Sequence, residues 1–95
     1  MSRAFVNEDA GGEALGRFPL PRRDDPAYED AAARALLRGA DEGDSASAEV
    51  ATGYVWGDPA LAAPIERIRA EAEESGNERL SQLADRYLRA TRRGR

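Results

Sequence analysis

The clearest pattern in the chain is a pair of apolar stripes in its C-terminal third. The first stripe recurs at spacings that keep its members on one side of a helix, and it consists of Leu61, Ile65, Ile68 and Ala72. The second stripe follows the turn signal Ser75-Gly76-Asn77, and it consists of Leu80, Leu83, Ala84, Tyr87 and Leu88. Two amphipathic helices joined by a short polar turn predict an antiparallel helical hairpin.

The first helix of this hairpin has a marked start. Asp58 can accept hydrogen bonds from the free amides of a first helical turn, and Pro59 suits a first helical position. Pro64 complicates this start, because it lacks the amide that would bond to the carbonyl of Ala60. The sequence therefore predicts either a kink at Pro64 or a true helix start near Ala63.

Two shorter helices are predicted before the hairpin. Asp25 followed by Pro26 marks the start of an alanine-rich helix over residues 27–38, which either Gly39 or Gly43 ends. A second helix, residues 45–52, is bounded by Asp44 as its cap and Gly53 as its terminator. Tyr54, Val55 and Trp56 follow it, as an extended connection or as a plug at the helix end.

Residues 1–25 show neither helical nor strand periodicity and contain several glycines and prolines. They predict a flexible N-terminal tail, and residues 26–95 predict one helical domain. The fold expected is therefore all-α, with three to four short helices, a C-terminal antiparallel helical hairpin and a flexible N-terminal tail. Phe5 and Phe18 are too apolar for a purely solvating tail, so they are expected to dock on the body or on a partner.

The amino-acid composition limits the reactions that the protein could catalyse, because its 95 residues include no histidine, cysteine or lysine. These residues supply most general bases near neutral pH, all thiolate nucleophiles and nearly all zinc sites. We therefore expect a non-enzymatic protein without a cofactor or a metal. The absence of cysteine, of a long apolar run and of a signal peptide favours a cytoplasmic protein that does not enter a membrane.

The small size and the net negative charge of the chain indicate which kinds of partner it can bind. A chain of 95 residues with a net charge of −4 buries a small core, so self-association into a homo-oligomer is one expectation. Overall acidity argues against non-specific binding to nucleic acid. Residues 78–95 are nevertheless basic, since they carry six arginines and two acids.

The chain begins with Met1-Ser2-Arg3-Ala4-Phe5-Val6 followed by Asn7-Glu8-Asp9, and this leader resembles that of some longer Gre-type transcript cleavage factors. Leu20-Pro21, Arg22, Pro26 and Tyr28 continue the resemblance loosely. It implies an association with the transcription machinery, with RNA polymerase as the partner. The chain departs from that family in its short hairpin helices, in the absent acidic tip motif and in having no room for a C-terminal globular domain, so no catalytic residue is carried over.

Two further functions are open alternatives. The first is a DNA-binding module similar to a helix-turn-helix. In it the last helix would contact phosphates through its arginines, which are Arg79, Arg86, Arg89, Arg92 and Arg93. The second is a magnesium-dependent enzyme similar to the all-α nucleotide pyrophosphohydrolases, because Glu73 and Glu74 with Glu78 and Asp85 resemble the acidic helices that hold Mg²⁺ in that family. The simpler interpretation of those acids is a solvated helix end.

The interpretation that the sequence favours is a small acidic helical protein that acts through protein–protein contacts. Its candidate partner-binding residues are Phe5 and Phe18 in the tail and Tyr54 and Trp56 in the aromatic cluster. The same aromatic side chains are also candidates for the core, because aromatic residues dominate the apolar area of a small domain. Deletion of residues 1–20 is expected to leave the fold intact and to weaken partner binding.

Overall fold

The computed structural model describes residues 18–93, and the helices of this range pack around one core. The elements follow in the order α1 (Tyr28–Asp41), α2 (Ser45–Thr52), a 3-10 turn (Pro59–Leu61), α3 (Ala62–Ser75) and α4 (Glu78–Arg93). No strand occurs among the described residues, and the prediction of an all-α fold with a C-terminal hairpin is confirmed. The prediction of a flexible tail lies, for residues 1–17, outside the described residues.

The hairpin of α3 and α4 buries the first predicted stripe completely and the second except for Leu80, which is partly buried. Every member of the first stripe is at most 1% exposed, and Leu83, Ala84, Tyr87 and Leu88 of the second stripe are at most 7% exposed. Gly76 makes the tight turn with a φ of 76°, a conformation that glycine adopts without strain. Asn77 then caps α4, because its Oδ1 accepts a hydrogen bond from the amide of Leu80 at 3.1 Å.

The start of α3 follows from its two prolines. Asp58 Oδ1 accepts from the amide of Ala60 at 2.9 Å, and Pro59 opens a single 3-10 turn. The α-helix then begins at Ala62, which places Pro64 in its first turn, where an amide has no helical partner. The prediction of a helix start near Ala63 is thus confirmed to within one residue.

The first helix is longer than the sequence predicted. α1 continues past residue 38 to Asp41 and contains Gly39, and the chain turns away at Gly43 with a φ of 76°. A Cβ on Gly39 would lie 2.7 Å from Cβ of Ala48, so the missing side chain lets α2 approach α1 closely. Gly39 is therefore a packing position within the helix and not its terminator.

Three ion pairs tie α1 to the hairpin. Arg34 Nη2 lies 2.9 Å from Glu71 Oε1, Arg79 Nε lies 2.7 Å from Asp41 Oδ1, and Arg67 lies 3.9 Å from Asp30. The two carboxylates beside Arg34, from Glu71 first and then Asp30, raise the pKa of its guanidinium. These pairs are exposed, so each contributes at most about 1 kcal/mol, but together they set the position of α1 along the hairpin.

The segment before α1 belongs to the body. Phe18 is 1% exposed in the core, and the guanidinium carbon of Arg38 lies 5.9 Å from the centre of its ring. Leu20 packs against the same core. The core therefore includes Phe18, which precedes the predicted start of the domain at residue 26, and deletion of residues 1–20 would remove a core side chain.

Candidate protein-interaction surface

The second helix presents an uncharged outward side. Among the described helices, α2 packs against α1 alone, through the buried residues Ala48 and Thr52. Ala46 and Val50 lie on the opposite side of the helix and are exposed. We call this side, together with the loop of residues 53–57, the α2 surface.

Two valines make the α2 surface unusual for this protein. Val50 is 77% exposed and Val55 is 59% exposed, and they are the large hydrophobic residues left in solvent among residues 18–93. The residue between them that ends α2, Gly53, has a φ of 81°. A single exposed aliphatic residue is ordinary, but two such residues flanking one helix end form a patch that can contact another molecule.

The carboxylates nearest the patch keep their negative charge, and each accepts a hydrogen bond from a backbone amide. Glu49 Oε2 accepts from the amide of Trp56 at 2.9 Å, Asp44 Oδ1 accepts from the amide of Ser47 at 3.2 Å, and Asp58 caps the 3-10 turn. The sequence contains no arginine between positions 38 and 67. The only guanidinium that the described structure places against this region is that of Arg23, which lies against Gly53 and 5.3 Å from the ring centre of Tyr28.

The loop of residues 53–57 is held by hydrogen bonds. Thr52 is fully buried, and its Oγ1 accepts from the amide of Tyr54 at 3.1 Å, while the hydroxyl of Tyr28 donates to the carbonyl of Thr52 at 2.8 Å. The amide of Asp58 donates to the carbonyl of Val55 at 3.1 Å and closes a turn. A loop fixed in this way holds the Val55 side chain outward without further ordering, which lowers the entropic cost of binding.

Trp56 anchors the α2 surface to the hairpin. Its ring meets that of Tyr87 edge to face, with 5.0 Å between centroids and 66° between planes. The Tyr87 hydroxyl donates to the carbonyl of Asp58 at 2.9 Å. Burial, reinforced by the charge of Asp58, raises the pKa of the Tyr87 phenol.

The structure separates the four predicted partner-binding residues. Phe5 lies outside the described residues, and Phe18 lies in the core, where its ring is not available to a partner. Tyr54 and Trp56 are partly buried and pack against the core from the edge of the α2 surface. The sequence analysis did not identify Val50 and Val55 as partner-binding candidates. The signals that could have identified them are that Val50 is the one large apolar residue of a helix made of small residues, and that Val55 lies in the short loop between Gly53 and Gly57.

The acids at the hairpin turn are exposed. Glu71 is paired with Arg34 and Glu73 with Arg69 at 3.3 Å. Arg67, which lies one turn before Glu71 on the same helix, is paired with Asp30 instead. Within residues 18–93, no group of three or more acids is arranged to hold a metal ion. This geometry gives the pyrophosphohydrolase alternative no support.

The arginines of α4 are partly engaged by acids. Arg79 binds Asp41, and Arg89 binds Asp85, which lies one turn before it on the same helix. Arg86 and Arg92 are exposed, and the described residues offer neither of them an ion-pair partner. Two arginines without an ion-pair partner, on a protein of net charge −4, could neutralise only a few DNA phosphates, so they support DNA binding weakly.

Comparison with protein-family models, with curated proteins and with solved structures finds no match for this chain. Among the described residues, no helix is long and apolar enough to cross a membrane.

Proposed function

We propose that this chain is a non-enzymatic protein-interaction module that binds another protein through the α2 surface. The observation that supports the proposal is the exposed apolar patch of Val50 and Val55 in a chain of which 34% of the residues are charged. Complete burial of a fully exposed valine contributes about 1.5–3 kcal/mol, so Val50 and Val55, which are already partly covered, contribute less than this each. The fixed loop reduces the entropy lost on binding.

The transcription machinery is the proposed context, and RNA polymerase is the partner to test. The support for this choice is the resemblance of residues 1–9 to the leader of Gre-type factors, which is independent of the α2 surface. In this arrangement the leader, including Phe5, and the α2 surface contribute separate contacts to one partner. Two linked contacts bind more tightly than either contact alone.

The test is co-elution of the full-length chain with purified RNA polymerase on a size-exclusion column. Val50→Asp and Val55→Asp place a charge on the α2 surface, and Ala63→Asp is the matched control, because Ala63 is exposed on α3. The proposal expects that the control co-elutes and that both valine variants do not, with all three variants melting like the wild type. Equal co-elution of all three variants would show that the α2 surface does not bind RNA polymerase.

Failure of every variant and of the wild type to co-elute would reject RNA polymerase as the partner. The DNA-binding alternative is then separated by a mobility-shift assay with a labelled duplex. Arg86→Ala with Arg92→Ala removes the two α4 arginines that have no ion-pair partner in the described structure. A duplex shift that the wild type gives and this double variant loses would favour DNA binding over the α2 surface.

A further inference from the structure

Two carboxylates beside the exposed valines of the α2 surface keep acceptor oxygens for a partner. Glu49 bonds to the amide of Trp56 through Oε2, and Asp58 bonds to the amide of Ala60 through Oδ1. The second oxygen of each carboxylate accepts no hydrogen bond from the described residues, which also offer neither side chain an ion-pair partner. Both side chains are only partly buried, so a cationic group of another molecule can reach them.

The stretch of chain that forms the α2 surface carries no positive charge of its own. Residues 39–66 include six acids and no arginine. Arg23 lies against Gly53, but residues 22–25 read Arg-Arg-Asp-Asp and are neutral as a group. Charge complementarity therefore favours a basic partner at this surface.

The apolar part of the surface has the form of a short helix ridge. Ala46 and Val50 are four residues apart and are exposed on the same side of α2, and rows at this spacing are the ridges with which helices pack against one another. α2 has eight residues and is therefore about 12 Å long. A partner helix would contact it over about two turns.

We propose that the α2 surface binds a basic amphipathic helix, with aliphatic side chains against Val50 and Val55 and with lysine or arginine beside Glu49 and Asp58. The inference rests on the proposed function and names the chemistry of the partner. A second copy of the chain fits less well, because two α2 surfaces in contact would bring four of these carboxylates together. The short contact and the charge pairs make the complex weak and sensitive to salt.

The test is an NMR titration of the ¹⁵N-labelled full-length chain with a helical peptide of about five turns, which carries leucine on one face and lysine on the other. A second peptide, in which glutamate replaces every lysine, is the control for charge. The proposal expects the lysine peptide to shift the amide signals of Ala46, Val50 and Val55, and to bind more weakly as the NaCl concentration rises. The glutamate peptide should leave these signals in place.

Two double variants separate local charge from the charge of the whole protein. Glu49→Gln with Asp58→Asn removes both charges and keeps an amide oxygen for each backbone hydrogen bond. Glu66→Gln with Glu74→Gln is the matched control, because both residues are exposed on α3, which does not contact α2. An exposed ion pair changes affinity by a factor of about 1.4 to 5, so the first variant should bind the lysine peptide at least about twofold more weakly than the second.

Several results would overturn the inference. Equal affinity of the two charge variants would assign the attraction to the net charge of the protein, and a lysine peptide that shifts no α2 signal would exclude this class of partner. If Val50→Ser with Val55→Ser weakened binding while Glu49→Gln with Asp58→Asn did not, the proposed function would stand and the choice of a basic partner would fail. Shifts at Val50 that grow with protein concentration, without peptide, would make the occupant a second copy of the chain.

Discussion

Phe18→Ala is the substitution that most directly tests where the folded body begins. The ring is 1% exposed and belongs to the core cluster, and its removal leaves a cavity between α1 and the segment that precedes it. Truncation of a buried phenylalanine to alanine costs about 3–5 kcal/mol. A chain of 95 residues has a free energy of unfolding of roughly 5–14 kcal/mol at about 0.05–0.15 kcal/mol per residue, so the loss is a large part of the total.

The expected loss is measurable in two ways. One kcal/mol shifts the melting temperature of a domain of this size by about 4–8 °C, so Phe18→Ala should melt at least about 12 °C below the wild type. Urea unfolding followed by far-ultraviolet circular dichroism gives the free energy itself. The fluorescence of Trp56, the single tryptophan, gives a second probe of the same transition because its ring packs on Tyr87.

Phe5→Ala is the matched control, since it makes the same change in the same N-terminal quarter of the chain. We expect it to alter the free energy of unfolding by less than about 0.5 kcal/mol. If Phe18→Ala were no more destabilising than Phe5→Ala, the packing of Phe18 would be refuted. The body would then begin at residue 26, as the sequence pattern predicts.

Three further substitutions test the interior. Gly39→Ala should destabilise by about 1–3 kcal/mol in thermal melts, since its Cβ would lie 2.7 Å from that of Ala48, and adding Ala48→Gly should restore part of the loss; a stabilised Gly39→Ala would contradict the close packing of α1 and α2. Leu83→Asp puts a charge at a position that is 2% exposed and should unfold the chain in circular dichroism; unchanged melting would contradict its core position. Because burial raises the pKa of Tyr87, the folded state keeps its phenol proton above pH 10, where the unfolded state loses it, so the stabilisation is complete below about pH 10 and falls as the pH rises further. Tyr87→Phe should therefore be less stable than the wild type by about 1–2 kcal/mol at pH 8, through the lost bond to the carbonyl of Asp58, and the difference in urea midpoint should shrink towards pH 11; a constant difference would contradict the raised pKa.

Local rules explain why most helix boundaries could be predicted. A cap residue, a glycine with positive φ and a run of apolar residues at helical spacing act within a few residues of one another. Asp44 and Gly53 therefore bound α2 as predicted, and the Leu61 and Leu83 stripes are buried as predicted. Of the two glycines that could have ended α1, Gly43 follows its last turn with a positive φ, because Gly39 is used for a contact with another helix.

The candidate site could be predicted only in part. The aromatic cluster identified residues 54–56 as candidates. The sequence did not show that Val50 and Val55 stay exposed while Trp56 packs against Tyr87. Which side of a short helix faces solvent depends on what packs against the other side. For α2 that is a contact between Ala48 and Gly39, which no local pattern reveals.

By itself, the sequence determined the helical class, the hairpin and its two buried stripes, because these depend on spacing along one segment of chain. The tertiary structure decided which charges pair and which apolar residues are buried, since these depend on contacts between segments far apart in the chain. Glu71 pairs with Arg34 of α1 and not with Arg67 of its own helix, and Phe18 packs into the core although its neighbours show no helical period. The exposed apolar patch of the α2 surface has the same origin, because the fold directs Glu49 to the backbone amide of Trp56 and leaves two valines in solvent.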